Sequence, residues 1–170
     1  MKPAVFAMCL LLPLMLFIKC GGERSFQIPD YKTWNKVIPQ VLDRPVPGHG
    51  ATFRVIYANE TAFSSEIVTD DTGVRSVKMK DGSIIVKEVY KKREDVGYKV
   101  PDLLIMEKRG SDPESLNGWR YYLKKPAEKT VEVRTRMCVG CHEAANEKHP
   151  YFDGNRDEIF RDYLFISIAK

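Results

Sequence analysis

The sequence has little of what would indicate a small disulfide-bonded protein or a nucleic-acid-binding protein. It contains only 4 cysteines in 170 residues, and these form two separate pairs, Cys9 with Cys20 and Cys138 with Cys141. Lys+Arg 27 against Asp+Glu 23 gives a net charge of +4, and the charges are dispersed, so no nucleic-acid partner is predicted. No internal repeat or interdomain linker is evident, and 44% hydrophobic with 29% charged residues excludes a disordered chain. One folded domain with its own core is therefore expected.

The first 22 residues have the composition of an export signal. A lone Lys2 precedes an apolar stretch over residues 3–18, and Lys19, Cys20 and two glycines follow it. The stretch is shorter than the ~20 apolar residues that a membrane-spanning helix needs, which favours a cleaved signal peptide over a permanent anchor. We predict a signal peptide over residues 1–22, a mature domain over residues 23–170 and a periplasmic or otherwise extracytoplasmic location.

Cys20 leaves a second form of this signal open. A cysteine before two glycines is typical of a lipoprotein cleavage site, where the new N-terminal cysteine is acylated, although Lys19 stands where a small residue is expected. A membrane partner is therefore expected only if Cys20 is lipidated. Otherwise Cys20, like Cys9, is removed with the signal peptide.

The middle of the mature chain has the alternation and turn signals of an antiparallel sheet. Five strand-like runs lie at residues 52–59, 74–79, 83–90, 102–108 and 118–123. Asp81-Gly82, between the second and third runs, predicts a hairpin turn. No intervening segment is long enough for the crossover that parallel strands need, so the sheet is predicted to be antiparallel and mainly five-stranded.

Helical patterns flank these strands. Asp30 can serve as an N-cap for residues 31–42, whose apolar residues recur at helical spacing until Pro39 ends or kinks the helix. After the sheet, residues 134–148 and 157–165 are predicted to be helical. The predicted fold is therefore α+β, with one helix before the sheet and two after it.

Residues 138–142 (CVGCH) carry the strongest chemical signal, because C-x-x-C-H is the attachment motif of c-type haem. Two thiols about one helical turn apart can form thioethers with the two vinyl groups of one porphyrin, and the next histidine can bind the iron. We predict one covalently attached haem c, held by Cys138 and Cys141, with His142 as the proximal iron ligand. The motif is predicted to lie on the first helix after the sheet.

Three other uses of the two cysteines compete with haem. A structural zinc site needs four N or S ligands, and the sequence has no second Cys pair beside the motif. His149 could be a third ligand after Cys138 and Cys141, which would still leave the set incomplete. A thioredoxin-like redox pair is expected near a βαβ unit, whereas Cys138 and Cys141 follow an antiparallel meander. A plain disulfide would not require His142.

Several separate segments, taken in order, indicate a family. They are His49-Gly50, residues 54–59 (RVIYAN), 81–88 (DGSIIVKE), 118–122 (GWRYY), 138–142 (CVGCH) and 162–165 (DYLF). In these the chain resembles the cytochrome P-460 family, which includes cytochrome c prime-beta, over residues 31–165. The resemblance implies a mainly antiparallel sheet with flanking helices, a dimer, and a five-coordinate haem with an open distal face.

The resemblance also implies one of two functions. One branch of the family resembles hydroxylamine-oxidising enzymes, in which a lysine is cross-linked to the porphyrin and an external electron acceptor takes the electrons. The other resembles nitric-oxide-binding cytochromes without the cross-link. The cross-linked lysine is expected shortly before or on the DGS strand, so Lys78 and Lys80 are its candidates, and Lys87 lies nearby in a run that both branches share.

Simple electron transfer is a further alternative. A sixth ligand such as Met79, Met106 or His149 would then close the iron site. His149 and Tyr151 lie among turn-forming residues, and His49 lies in a Pro/Gly-rich connector, so all three are expected in loops.

Overall fold

An antiparallel sheet forms the centre of the protein, and the predicted α+β class is confirmed. The computed structural model describes residues 26–45, 49–134, 136–146, 159–165 and 168. The main sheet has six strands in the order β1-β2-β5-β6-β7-β8, and β3 and β4 form a separate two-stranded sheet. The strands are β1 (Asn35–Lys36), β2 (Phe53–Ala58), β3 (Glu66–Thr69), β4 (Arg75–Lys78), β5 (Ile84–Tyr90), β6 (Asp102–Lys108), β7 (Trp119–Lys124) and β8 (Val131–Glu132).

Four of the five predicted strand runs lie in the main sheet as β2, β5, β6 and β7. The sheet has six strands rather than five because β1 and β8 extend it at its two edges. Each of these edge strands has two residues, which is too short to produce an alternating pattern in the sequence.

The central strand β5 shows how the alternating pattern divides the two faces of the sheet. Ile85 and Lys87 line a cavity on one face. Val86 and Glu88 lie on the other face, where Glu88 is only 1% exposed and accepts a hydrogen bond of 2.7 Å from the Tyr31 hydroxyl. The residues before β1 therefore cover the face opposite the cavity, and the Tyr31 hydroxyl binds the residue that follows Lys87.

The prediction of a hairpin at Asp81-Gly82 is wrong, although the chain does turn there. Gly82 has φ +84°, and the Ser83 N–H donates to the carbonyl of Lys80 at 3.0 Å. However, β4 pairs with β3, and β5 pairs with β2 and β6. The Asp81 carboxylate instead accepts a hydrogen bond of 2.7 Å from the Gly110 N–H. An Asp-Gly signal marks a reversal of the chain, but it does not choose the strand that pairs with the next one.

The prediction of a helix over residues 31–42 is also wrong. A 3-10 helix spans only Tyr31–Thr33, and β1 follows and pairs with β2. Tyr31 and Trp34 pack against apolar side chains of the sheet, so their spacing reflects one short turn lying on a sheet face. A helix that was not predicted, α1 (Glu60–Phe63), follows β2, and the Asn59 side chain caps it by accepting from the Ala62 N–H at 3.0 Å.

After the sheet, one of the two predicted helices is present in the described residues. Helix α2 spans Arg136–Glu143, carries the CVGCH motif as predicted, and continues as a 3-10 helix over Ala144–Asn146. The prediction of a helix over residues 157–165 is wrong for its described part, residues 159–165. Asp162 and Tyr163 have φ of 51° and 67°, which a right-handed helix does not allow, and Phe160 forms a parallel bridge with Ser76.

Several predictions fall outside the described residues. These are the signal peptide over residues 1–22 with Cys9 and Cys20, and the loop residues His149 and Tyr151. Across the part of the chain that the structure does describe, no helix combines the length and the apolarity needed to span a membrane.

Candidate haem-binding site

A cavity of about 400 Å³ separates the main sheet from the C-terminal part of the chain. The sheet lines one side with side chains of β2, β5, β6 and β7, and α2 and the segment after it line the other. Most of the lining is aliphatic or aromatic; it includes Ile56, Ile85, Leu104, Leu123, Val133, Leu164 and Phe165. Such a volume lies within the ~300–1,000 Å³ that cofactor sites commonly have.

Helix α2 presents the three predicted haem-binding residues to this cavity. Cys138, Cys141 and His142 all line it, and both cysteines are half-buried. Residues three and four positions apart lie on the same side of a helix, which is why the spacing places both thiols on the cavity side. The structure therefore brings together all three residues that the motif predicts.

The ring of His142 is oriented by its backbone partner and by two aromatic rings. Its Nδ1 lies 2.8 Å from the carbonyl oxygen of Tyr163, and the rings of Tyr121 and Phe165 have centroids 5.7 and 5.6 Å from its own. Burial lowers the pKa of His142 to about 4, against the opposing effect of the Tyr163 carbonyl, and nearby Lys87 lowers it further. The ring is therefore neutral at pH 7, with Nδ1–H donating to Tyr163 and the Nε2 lone pair available to a metal.

Two polar side chains meet in the same cavity. Lys87 Nζ lies 2.9 Å from His49 Nε2, and both residues line the cavity. Burial lowers the pKa of Lys87 to about 7, and the charge of Arg54 adds to this effect, whereas the thiols of Cys141 and Cys138 oppose it. Burial first and Lys87 second lower the pKa of His49 to about 3, so His49 is neutral at pH 7 and accepts a hydrogen bond from the Lys87 amine.

The local sequence patterns around His49 and Lys87 do not predict that the two side chains meet. His49 lies in a Pro/Gly-rich connector, and Lys87 lies in a strand whose neighbouring residues are mostly apolar. The signal that could have identified Lys87 is its period-two register with Ile85, since a lysine on the apolar face of a central strand needs a partner. The connector brings His49 to that position across 38 residues of sequence, which no local pattern reveals.

The two lysines that were predicted as cross-link candidates are not among the residues that line the cavity. Lys78 is exposed in β4, and Lys80 is exposed and donates to the Ser64 hydroxyl at 3.4 Å. The described lining contains Lys87 instead. Of the predicted sixth ligands, Met106 lines the cavity, whereas Met79 is 5% exposed within the core beside it.

The residues present fit a haem. The cavity combines an apolar wall, two thiols on one helical turn and a neutral imidazole with its Nε2 available. In addition, the buried hydroxyl of Tyr121, which lines the cavity, has no hydrogen-bond partner among the described residues. Buried polar groups seldom remain unpaired, so this hydroxyl indicates that a further group belongs in the cavity.

These features define the class of c-type haem proteins. The chain belongs to the Cytochrome P460 family, since the model of that family matches residues 28–166. Membership favours haem over the zinc, thiol-redox and disulfide interpretations of the two cysteines. No curated protein sequence matches the chain.

Proposed function

We propose that the protein is an exported cytochrome with one covalently bound haem c, whose open iron site binds or redox-converts small nitrogen compounds such as hydroxylamine or nitric oxide. The observation that carries this proposal is that His142 shares one apolar cavity with a second polar centre, the Lys87–His49 pair. The class of ligand is the one that the Cytochrome P460 family implies.

Three residues of α2 would hold the haem. Cys138 and Cys141 would form the two thioethers, and His142 would bind the iron through Nε2 while its Nδ1–H donates to Tyr163. When bound, the haem supplies an iron that can take a small ligand and exchange electrons with an external acceptor. The apolar lining excludes water from the surroundings of that ligand.

The Lys87–His49 pair provides the acid–base function that such a reaction needs. Lys87 has N–H groups beyond the one that it donates to His49, so it can donate a hydrogen bond to an oxygen or nitrogen atom of a bound ligand. Oxidation of hydroxylamine releases protons together with electrons. Lys87, whose pKa is about 7, can accept such a proton.

The mass of the purified holoprotein tests export, haem attachment and the cross-link together. We expect a chain without residues 1–22 that carries one haem through the two thioethers. If the protein belongs to the hydroxylamine-oxidising branch, digestion should also yield a haem peptide linked to Lys87, because Lys87 lines the cavity while Lys78 and Lys80 are exposed. A Lys87 amine linked in this way would no longer accept a proton, so the acid–base role of Lys87 applies only to a protein without the cross-link. A haem bound only to Cys138 and Cys141 would favour the binding function, and a chain without covalent haem would contradict the proposal.

The optical spectrum of the reduced protein distinguishes an open, five-coordinate iron site from the six-coordinate site of an electron-transfer cytochrome. We expect a high-spin, five-coordinate iron. The specific alternative is a Met106 ligand, because Met106 lines the cavity. A low-spin spectrum in the native protein that becomes high-spin in Met106→Leu would establish the electron-transfer function, and it would contradict an open site.

The location and the partners are part of the same proposal. The predicted signal peptide supports a periplasmic or otherwise extracytoplasmic protein, attached to a membrane only if Cys20 is lipidated. The proposed partners are the small nitrogen compound, an external electron acceptor and a second copy of the chain. The mass of the mature N-terminal peptide distinguishes the secreted form from the lipidated one.

A further inference from the structure

The segment that holds the His142 ring turns in an unusual conformation. Asp162 and Tyr163 are consecutive residues with φ of 51° and 67°, in the left-handed region. Aspartate adopts this region more readily than most residues, because its short polar side chain can form local hydrogen bonds, whereas tyrosine does so rarely. Surrounding contacts must therefore hold the turn in place.

The sheet supplies the first set of these contacts. Lys108 Nζ lies 2.7 Å from Asp162 Oδ1, and both side chains are largely buried, at 13% and 7% exposure. The indole N–H of fully buried Trp119 donates to the Asp162 carbonyl oxygen at 3.0 Å. Lys108 and Trp119 are paired in the register of β6 and β7, so one point of the sheet holds both the side chain and the backbone of Asp162.

The end of the haem-motif helix supplies the second set. Asn146 Oδ1 accepts hydrogen bonds from the backbone N–H groups of Arg161, at 2.9 Å, and Tyr163, at 3.2 Å. The Arg161 guanidinium also donates to the Ala145 carbonyl at 2.8 Å. The turn is therefore bound on one side by the sheet and on the other by the chain that continues α2.

These contacts determine which groups surround the His142 ring. A turn held in this way places the Tyr163 carbonyl 2.8 Å from His142 Nδ1, and it brings Phe165 against the imidazole ring. The hydrogen bond to the ring nitrogen that does not bind metal fixes the tautomer and the ring orientation, and it strengthens the other nitrogen as a ligand. Asp162 itself does not appear in the described lining of the cavity.

We propose that Asp162 is a positioning residue for the iron ligand: through the Asp162–Tyr163 turn, it sets the orientation and the donor strength of His142. The proposal rests on the proposed function only in that His142 is the haem ligand. Asp162 acts through the Tyr163 carbonyl, and it is not among the described residues that line the cavity.

Three variants of the full-length holoprotein test this proposal. Asp162→Ala removes both the side-chain contact with Lys108 and the residue's tolerance of positive φ. Asp162→Asn keeps an acceptor oxygen and that tolerance. Asp112→Asn is the matched control, because Asp112 is a carboxylate paired with buried Arg120, which lies on the opposite face of the sheet from Tyr121.

We expect Asp162→Ala to lower the iron–histidine stretching frequency in the resonance Raman spectrum of the ferrous protein. We also expect it to raise the reduction potential, since a weaker nitrogen donor stabilises ferric iron less. Asp162→Asn should show the same changes in smaller size, and Asp112→Asn should show neither. Haem staining on a denaturing gel should be equal in all of them, because the thioethers are untouched.

Equal stretching frequencies and potentials in wild type, Asp162→Ala and Asp112→Asn would overturn the positioning role. If Asp162→Ala does not fold, Trp119→Phe is the second variant: it removes the indole N–H that donates to the Asp162 carbonyl oxygen and approaches Oδ1 at 3.3 Å, while an aromatic ring stays in the core. It should shift both readouts in the same direction, and wild-type values there would also overturn the role. In the haem-free protein, the ¹⁵N chemical shift of His142 Nδ1 should report loss of the Tyr163 hydrogen bond in Asp162→Ala. If the wild-type protein carries no covalent haem but Asp162→Ala still shows this ¹⁵N change relative to it, the result contradicts the proposed function and supports the positioning role.

Discussion

Replacing His142 with alanine should leave a protein that still carries haem but has lost the proximal iron ligand. The haem should stay attached, because the thioethers depend on Cys138 and Cys141 rather than on the imidazole. The optical spectrum should change in both oxidation states, and the reduction potential should rise, because a strong nitrogen donor to the iron is gone. Spectra before and after denaturation, together with haem staining, measure the two effects separately.

The matched control is His49→Ala, which removes the other imidazole of the same cavity. It should alter the spectrum much less, since His49 Nε2 is engaged with Lys87 rather than with a metal. Exogenous imidazole should restore the native spectrum to His142→Gly but should have no effect on His49→Ala. An unchanged spectrum in His142→Ala would show that the axial ligand is another residue.

Replacing Lys87 with methionine should weaken the binding of small ligands at the iron. Methionine has a similar length and suits the apolar cavity, but it cannot donate a hydrogen bond to a bound oxygen or nitrogen atom. A hydrogen bond contributes about 0.5–1.5 kcal/mol net, so the dissociation constant should rise between about twofold and tenfold. The stretching frequency of carbon monoxide bound to the ferrous protein should rise as well, because a nearby donor increases back-donation from the iron.

Lys78→Met and Lys80→Met are the controls for this variant. They make the same chemical change at exposed positions, so neither the affinity nor the stretching frequency should shift. His49→Phe should show an intermediate effect, because Lys87 remains but loses the partner that orients it. If Lys87→Met has the wild-type affinity and the wild-type stretching frequency, Lys87 does not donate a hydrogen bond to the bound ligand.

Sequence patterns predicted strands better than they predicted helices. The runs that became β2, β5, β6 and β7 could be read because alternation along a strand is a local property. The helix predicted over residues 31–42, and residues 159–165 of the one predicted over 157–165, are not α-helical. Apolar residues at helical spacing also arise when a short turn or an irregular segment lies against a sheet, as Tyr31 and Trp34 do.

The sequence by itself determined that Cys138, Cys141 and His142, the proposed haem-binding residues, come together, because they lie within about one helical turn and need only a helix to do so. Tertiary structure alone decided what surrounds them. Strand pairing places half-buried Lys87 in the cavity lining and leaves Lys78 and Lys80 exposed, and a connector brings His49 to Lys87 across 38 residues. The Tyr163 carbonyl reaches His142 across 21 residues, by way of a left-handed turn held by the sheet. Contacts of this kind depend on which segments pack together, so a local pattern can identify the cofactor but not the environment that sets its reactivity.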